Sequence, residues 1–119
     1  MEIKAHQINT TKVAEIIAEH IIIHSAQDGL DLLGNMYYQE FDSVVLYEKN
    51  ISPEFFDLKT KMAGEILQKF SNYRVRLAVV GDFSKYESKS FKDFIFESNK
   101  TRHVQFVNTL EEALEKLSN

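Results

Sequence analysis

The chain has 119 residues, of which 44% are hydrophobic and 27% charged, with 9 Phe and 5 Tyr but no Trp and no Cys. One compact domain over residues 1–119 is expected, and cysteine catalysis, thiolate zinc sites and thiol redox sensing are excluded. The 14 Lys plus Arg against 18 Asp plus Glu leave a net charge of -4, so nucleic acid and anionic membrane exert no general attraction.

No apolar run approaches the ~18 residues that span a bilayer. Met1 to His6 shows neither the basic region nor the apolar stretch of a signal peptide, which makes a cytoplasmic location the expectation.

Glu2 to Ile8 alternates weakly, Asn9-Thr10-Thr11 is a turn-forming cluster, and Val13 to Ile17 is rich in β-branched residues, which predicts a hairpin. Val13, Ile16, Ile17, His20 and Ile21 also fit helical spacing, but the β-branched density favours strand. Ser25-Ala26-Gln27-Asp28 has the form of a capping box. A helix should run from there to about Tyr38, with Leu30, Leu33 and Tyr37 on one stripe and Leu32 and Met36 beside it. Gly29 and Gly34 each weaken that helix by about 1 kcal/mol relative to Ala, so each marks close packing or a tolerated defect.

Ser43 to Tyr47 is a short continuous apolar run, the pattern of a strand buried on both faces. Ser52, Pro53 and Glu54 then stand in the favoured order of a helix start. The stripe Phe55, Lys59, Met62, Ala63, Ile66, Leu67 and Phe70 predicts the longest helix, with an interruption near Asp57 to Thr60 left open. Val75 to Val80 form a second buried strand stopped by Gly81-Asp82, followed by a polar loop from Lys85 to Ser90. Phe91, Phe94 and Ile95 mark a third helix ending near Asn99, and Val104 to Val107 a last strand. Thr109-Leu110-Glu111-Glu112 is a second capping box, opening a helix with Leu110, Ala113, Leu114 and Leu117 inward.

The order ββαβαβαβα predicts an α/β fold with a mixed sheet. The N-terminal antiparallel hairpin lies at its edge, and right-handed crossovers make the C-terminal strands parallel. Val45 and Val79 are expected on adjacent strands beneath Phe70.

In open α/β sheets ligands gather outside the carboxyl ends of the strands. Glu48, Asn50, Asp82, Ser84 and Lys85 follow two such strands, and Asp57 and Lys59 lie near the start of the long helix. Together they make a candidate crevice for a polar ligand or a partner loop. The competing assignment has Asn50 and Asp82 capping turns while Glu48 pairs with lysines. Ser52 reads as an N-cap, although a phosphate there would also be favoured. His20 and His24 have the spacing of helical metal ligands but lack a neighbouring acid and fall in strand and loop, so no metal site is expected. Tyr73, Arg74, Arg76, Lys100, Arg102 and His103 form a basic stretch that reads as a solvated sheet rim. Without a glycine-rich phosphate loop, a Ser-His-Asp triad or a dinucleotide fingerprint, no cofactor and no catalytic residue is assigned. The residues favour contact with a protein partner, with a small-molecule binder or enzyme in the crevice as the alternative.

The segments Asn50 to Thr60 (NISPEFFDLKT), Gly64 to Ala78 (GEILQKFSNYRVRLA) and Val80 to Ser84 (VGDFS) resemble a bacterial family known as domain of unknown function 4180. That resemblance reaches from the Gln27-Asp28 helix to the closing Leu110 to Leu114 and implies no activity. The order of elements and the closing TLEEAL segment are similar to the STAS domain of anti-sigma-factor antagonists. This implies a STAS-like fold and a regulatory role through protein contacts. In those antagonists a Ser or Thr opening the second long helix is phosphorylated by a partner kinase. Counting back from the Arg76 to Gly81 strand places that position at Phe56, Asp57 and Leu58, where no hydroxyl stands.

Overall fold

The computed structural model describes residues 1–118. Its strands are β1 (Glu2–Ile8), β2 (Thr11–Ile17), β3 (Ser43–Tyr47), β4 (Arg76–Val80) and β5 (Val104–Val107). Its α-helices are α1 (Ala26–Tyr38), α2 (Met62–Asn72), α3 (Lys89–Lys100) and α4 (Leu110–Leu117). The described strands form one sheet in the order β1-β2-β3-β4-β5. β1 and β2 are antiparallel, with Ile8 opposite Thr11 across the turn at Asn9 and Thr10, and the remaining neighbours are parallel. The predicted mixed α/β sheet with its edge hairpin is therefore present.

Every crossover steps to the next position in the same direction, and right-handed crossovers of that kind bring their helices to one face. Leu32, Leu33 and Met36 of α1, Met62, Ala63, Ile66 and Phe70 of α2, and Phe91 of α3 share one buried cluster with Ala14, Ile16, Val44, Leu46, Leu77, Val79 and Phe106. α4 follows the last crossover and folds over the opposite face, where Ala113 and Leu117 meet Val13, Val45, Ala78, Val80 and Val107.

This division corrects one expectation. Val45 lies opposite Ala78, and Leu46 opposite Val79. A one-residue offset on a strand reverses the face, so Phe70 packs with Val79 while Val45 points to α4.

The long helix expected from Ser52 to Phe70 is likewise broken. Pro53–Phe56 and Leu58–Thr60 are short 3-10 turns, and α2 starts only at Met62. Asp57 holds the amide of Lys59 at 3.1 Å, a local alternative to helical bonding, and Lys61 adopts φ 64°. The interruption thus falls where the sequence left it open, and α1, with 13 residues, exceeds α2, with 11.

The two glycines of α1 divide between the two roles set out for them. A Cβ on Gly29 would stand 2.6 Å from Ile66 Cδ1, so this glycine permits the close approach of α1 to α2, whereas a Cβ on Gly34 would meet nothing within 4 Å.

The helix-to-strand turns from α1 to β3 and from α2 to β4 are closed by the same device. After α1, Glu40 takes φ 66° while the Phe41 amide reaches Met36 O at 3.1 Å and the Glu40 amide Tyr37 O at 3.0 Å. After α2, Arg74 takes φ 58° with Val75 bonded to Phe70 O and Arg74 to Ser71 O, each at 3.0 Å. These are Schellman closures, in which the residue after the left-handed one turns into the core. They deliver Phe41 and Val75, both buried, to the feet of β3 and β4.

Candidate functional site

At the carboxyl ends of β3 and β4 the chain builds a pocket around one buried carboxylate. Glu48 directly follows β3, and its side chain is packed so tightly over the end of β4 that a Cβ on Gly81 would lie 2.6 Å from Glu48 Cβ. Gly81 therefore gives Glu48 its place. The Tyr86 hydroxyl donates to Glu48 Oε2, and Lys85 Nζ lies 2.8 Å from the same oxygen. Burial, then the hydrogen bond and charge of Glu48, push the Tyr86 phenol well above its ordinary value, because ionising it would place two negative charges together. Ile21, Ile51, Pro53 and Phe56 complete, with Lys49, the lining of an open hollow of about 230 Å³.

The other expected crevice residues do not line this pocket. Asn50 is 1% exposed and acts as a bolt: its Nδ2 donates to the carbonyls of Ala18 and His20 at 2.9 Å, tying the β2–α1 connection to the end of β3. Asp82 accepts from the Ser84 amide at 3.0 Å and from its hydroxyl at 2.6 Å. The Ser84 bonds hold the Asp82 carboxyl below its ordinary value. Asp57 caps Lys59, and both side chains are exposed. Glu48 and Lys85 are thus brought together, while Asn50, Asp82, Ser84, Asp57 and Lys59 serve turns and connections. The physical reason lies in the sheet order. The crevice rule needs a reversal in the order of strands, and this sheet runs without one.

Ser52 accepts from the Glu54 amide at 3.3 Å, as expected of a cap. It opens only the four-residue Pro53–Phe56 turn, too short for the summed dipole that favours a phosphate. The hydroxyl that does stand at the start of α2 is Thr60, which receives the Met62 amide at 3.2 Å and donates toward the carbonyls of Glu54 and Asp57. Counting residues back from β4 missed it because α2 begins later than the apolar stripe suggested.

His24 pairs with Asp28 at 3.2 Å on the surface, and His20 contributes its carbonyl to Asn50. Among the described residues no group of three or more His, Asp or Glu converges. The basic stretch is divided as well. Arg76 reaches inward to the carbonyl of Arg102 and, at 3.2 and 3.0 Å, to those of Leu117 and Lys116. Burial and the charge of Arg102 lower the Arg76 guanidinium from its ordinary value.

A second polar constellation lies on the α4 face of the sheet, unforeseen in the sequence. Glu15, 5% exposed, accepts from Tyr47 at 2.6 Å and meets His6 Nε2 at 2.9 Å. Burial works to raise its carboxyl, but Tyr47, His6 and the charge of Lys4 hold it below its ordinary value. Burial and the Glu15 partner raise the Tyr47 phenol to about 12. The available signal was Glu15 itself, the one acid inside the Val13 to Ile17 run.

A third feature faces outward between α1 and α2. Tyr37 and Tyr73 meet edge to face at 5.1 Å while remaining about half exposed, and Tyr38 is 87% exposed. Leu30, Leu33, Gly34, Lys69 and Tyr73 surround an adjoining hollow of about 150 Å³. The open space at Gly34 is part of its floor.

Among the described residues no helix is long and apolar enough to cross a membrane. No curated protein and no solved structure matches the chain. The family model described as "Domain of unknown function (DUF4180)" matches residues 8–117, and the chain belongs to that family.

Proposed function

We propose that this chain is a regulatory protein-interaction domain of STAS-like architecture that docks a partner on its α1–α2 face. The observation that carries this reading is the half-exposed Tyr37–Tyr73 pair beside the Leu30–Gly34 hollow, with the exposed Tyr38 next in the chain. Tyrosine supplies large contact area at low entropic cost and is enriched at protein interfaces. The fitting occupant is a segment of a partner protein with an apolar anchor for the hollow and a carboxylate for Lys69. The ββαβαβαβα order and the closing TLEEAL helix support the STAS-like part of the reading, and the cytoplasm of a bacterium is the setting that the resemblance suggests.

Affinity capture from the native host, followed by calorimetric titration of each captured protein, tests the proposal. Wild-type chain should retain a partner that Tyr73→Ala and Gly34→Leu lose, while Glu48→Gln keeps it. Gly34→Leu fills the hollow from an open helix position, so its folded state is expected to persist. A partner insensitive to both α1–α2 variants sinks this reading.

The alternative is a small ligand in the Glu48–Lys85–Tyr86 pocket, favoured by its buried carboxylate. A metabolite at 100 times its dissociation constant would add about 2.7 kcal/mol of stability. A thermal shift abolished by Glu48→Gln, with no protein captured, would establish that alternative instead.

A further inference from the structure

We propose that two copies of this chain pair through β1, edge to edge and antiparallel, with Ile3 opposite Ile3 and each Glu2 opposite the Lys4 of the other copy. The inference is independent of the docking reading above, since β1 contributes none of the residues of the α1–α2 face.

The two edges of the sheet are treated differently. β5 has four residues, and its outward groups at Phe106 are occupied: the Phe106 amide donates to Asn99 Oδ1 at 2.7 Å and its carbonyl accepts from Asn99 Nδ2 at 3.2 Å. A short strand plugged by a side-chain amide is protected against addition of another strand. β1 has seven residues and a continuous ladder to β2 from Glu2 to Ile8. Ile8 and Thr11 close a two-residue turn, so their main chains face each other, and alternation along the strand turns His6, Lys4 and Glu2 toward β2 as well. The N–H and C=O groups of Ile3, Ala5 and Gln7 consequently point outward. Among the described residues no side chain or main-chain group covers them.

The side chains then select one register. In an antiparallel pair related by a two-fold axis, a residue faces another of the same parity, so Ala5, Lys4 or Ile3 stands opposite its own copy. Centring on Ala5 sets Lys4 against His6 twice, and centring on Lys4 sets two lysines against each other. Centring on Ile3 sets Glu2 against Lys4 twice. Those pairs are non-hydrogen-bonded ones, where side chains approach most closely and charges of opposite sign stabilise. Glu2 and Lys4 are both exposed on the same face of β1, free to make this contact. The outward groups of Ile3 meet in the same register. An interface of one strand pair is smaller than standard, so the dimer dissociates in the micromolar range or above.

Sedimentation velocity from about 10 μM to about 1 mM, together with nuclear Overhauser spectroscopy on isotope-mixed wild-type protein, tests the pairing. Wild type should dimerise across that range and show an Hα–Hα contact between Glu2 of one copy and Lys4 of the other. Glu2→Lys and Lys4→Glu alone should each raise Kd about tenfold or more by setting like charges opposite. An equimolar mixture of the two variants should recover a heterodimer, because each Glu then meets a Lys again. Circular dichroism checks that both remain folded, and the wild-type contact decides the question even if one does not. A wild-type chain monomeric at the highest concentration, intermolecular contacts elsewhere, or a dimer indifferent to both reversals overturns the proposal.

Discussion

Glu15 carries a charge into a sheet face that the neighbouring residues make apolar, and it remains there because two hydrogen-bonding partners meet it. Its carboxyl is lowered from its ordinary value of 4.5. The stabilisation this represents is therefore complete above that pH and is lost as the pH falls through the folded-state value. Tyr47 works at the other end of the scale. Its phenol is raised from 10 to about 12, so its contribution is complete below pH 10 and disappears as the pH rises through 12. Tyr47→Phe should cost about 1 to 2 kcal/mol at neutral pH and flatten the fall in Tm between pH 10 and 12. Thermal melts across that window check it, with Tyr86→Phe as the companion for the part of the fall that Tyr86 supplies. A variant whose alkaline profile matches wild type would mean that the Tyr47–Glu15 bond does not persist in solution.

At the scale of the element, α1 carries two glycines of opposite value. Gly34→Ala adds a methyl group to open space and removes a flexible residue from a helix interior, for an expected gain of about 0.5 to 1 kcal/mol. Gly29→Ala drives the same methyl into Ile66, and the strain should cost about 1 to 3 kcal/mol. Chemical denaturation of the two variants reads the contrast directly, and equal effects would show that α1 and α2 are not in close contact at Gly29. Sequence patterning revealed the existence and order of these elements because burial leaves a 3.6-residue apolar stripe on a helix that packs on a sheet and a short continuous apolar run on a strand covered on both faces. It overextended the helix after Ser52 because Phe55 and Phe56 are buried from a short turn, and an apolar stripe does not record which kind of turn presents it. The face of Val45 was misassigned for a related reason: a strand buried on both sides carries no alternation from which its register can be read. In the crevice, Glu48 and Lys85 were legible from their positions after strands. Tyr86, which shares the Glu48 carboxylate, lies in a polar loop whose path no local pattern specifies.

On the scale of the whole molecule, one side chain ties the sheet to the end of the helix on its second face. Arg76 sits at the foot of β4 and holds the carbonyls of Lys116 and Leu117, the last turn of α4, where unpaired carbonyls and the helix dipole favour a cation. Arg76→Met keeps the stem but removes those donors, and should cost about 1 to 2 kcal/mol. Hydrogen exchange should report the loss first in α4, before the strands beneath it. Unchanged protection of α4 would show that Ala113 and Leu117 anchor it without the clamp.

The sequential order β1-β2-β3-β4-β5 also governs how the molecule comes into being. Each strand lies beside the one just before it in the chain, so the hairpin pairing is local and every parallel pairing spans a single strand–helix–strand crossover, with the loop-closure cost that makes parallel pairing slower than the hairpin. A nascent chain emerging from the ribosome would grow its sheet laterally, strand by strand, upon the hairpin it made first. Synthesis and assembly then proceed in the same direction, and no strand has to wait for a later one to find its neighbour. The exception is α4, whose apolar residues cover a face that stands bare until that helix is made. The partly synthesised chain is thus most prone to aggregate in the interval between the pairing of β5 and the docking of α4.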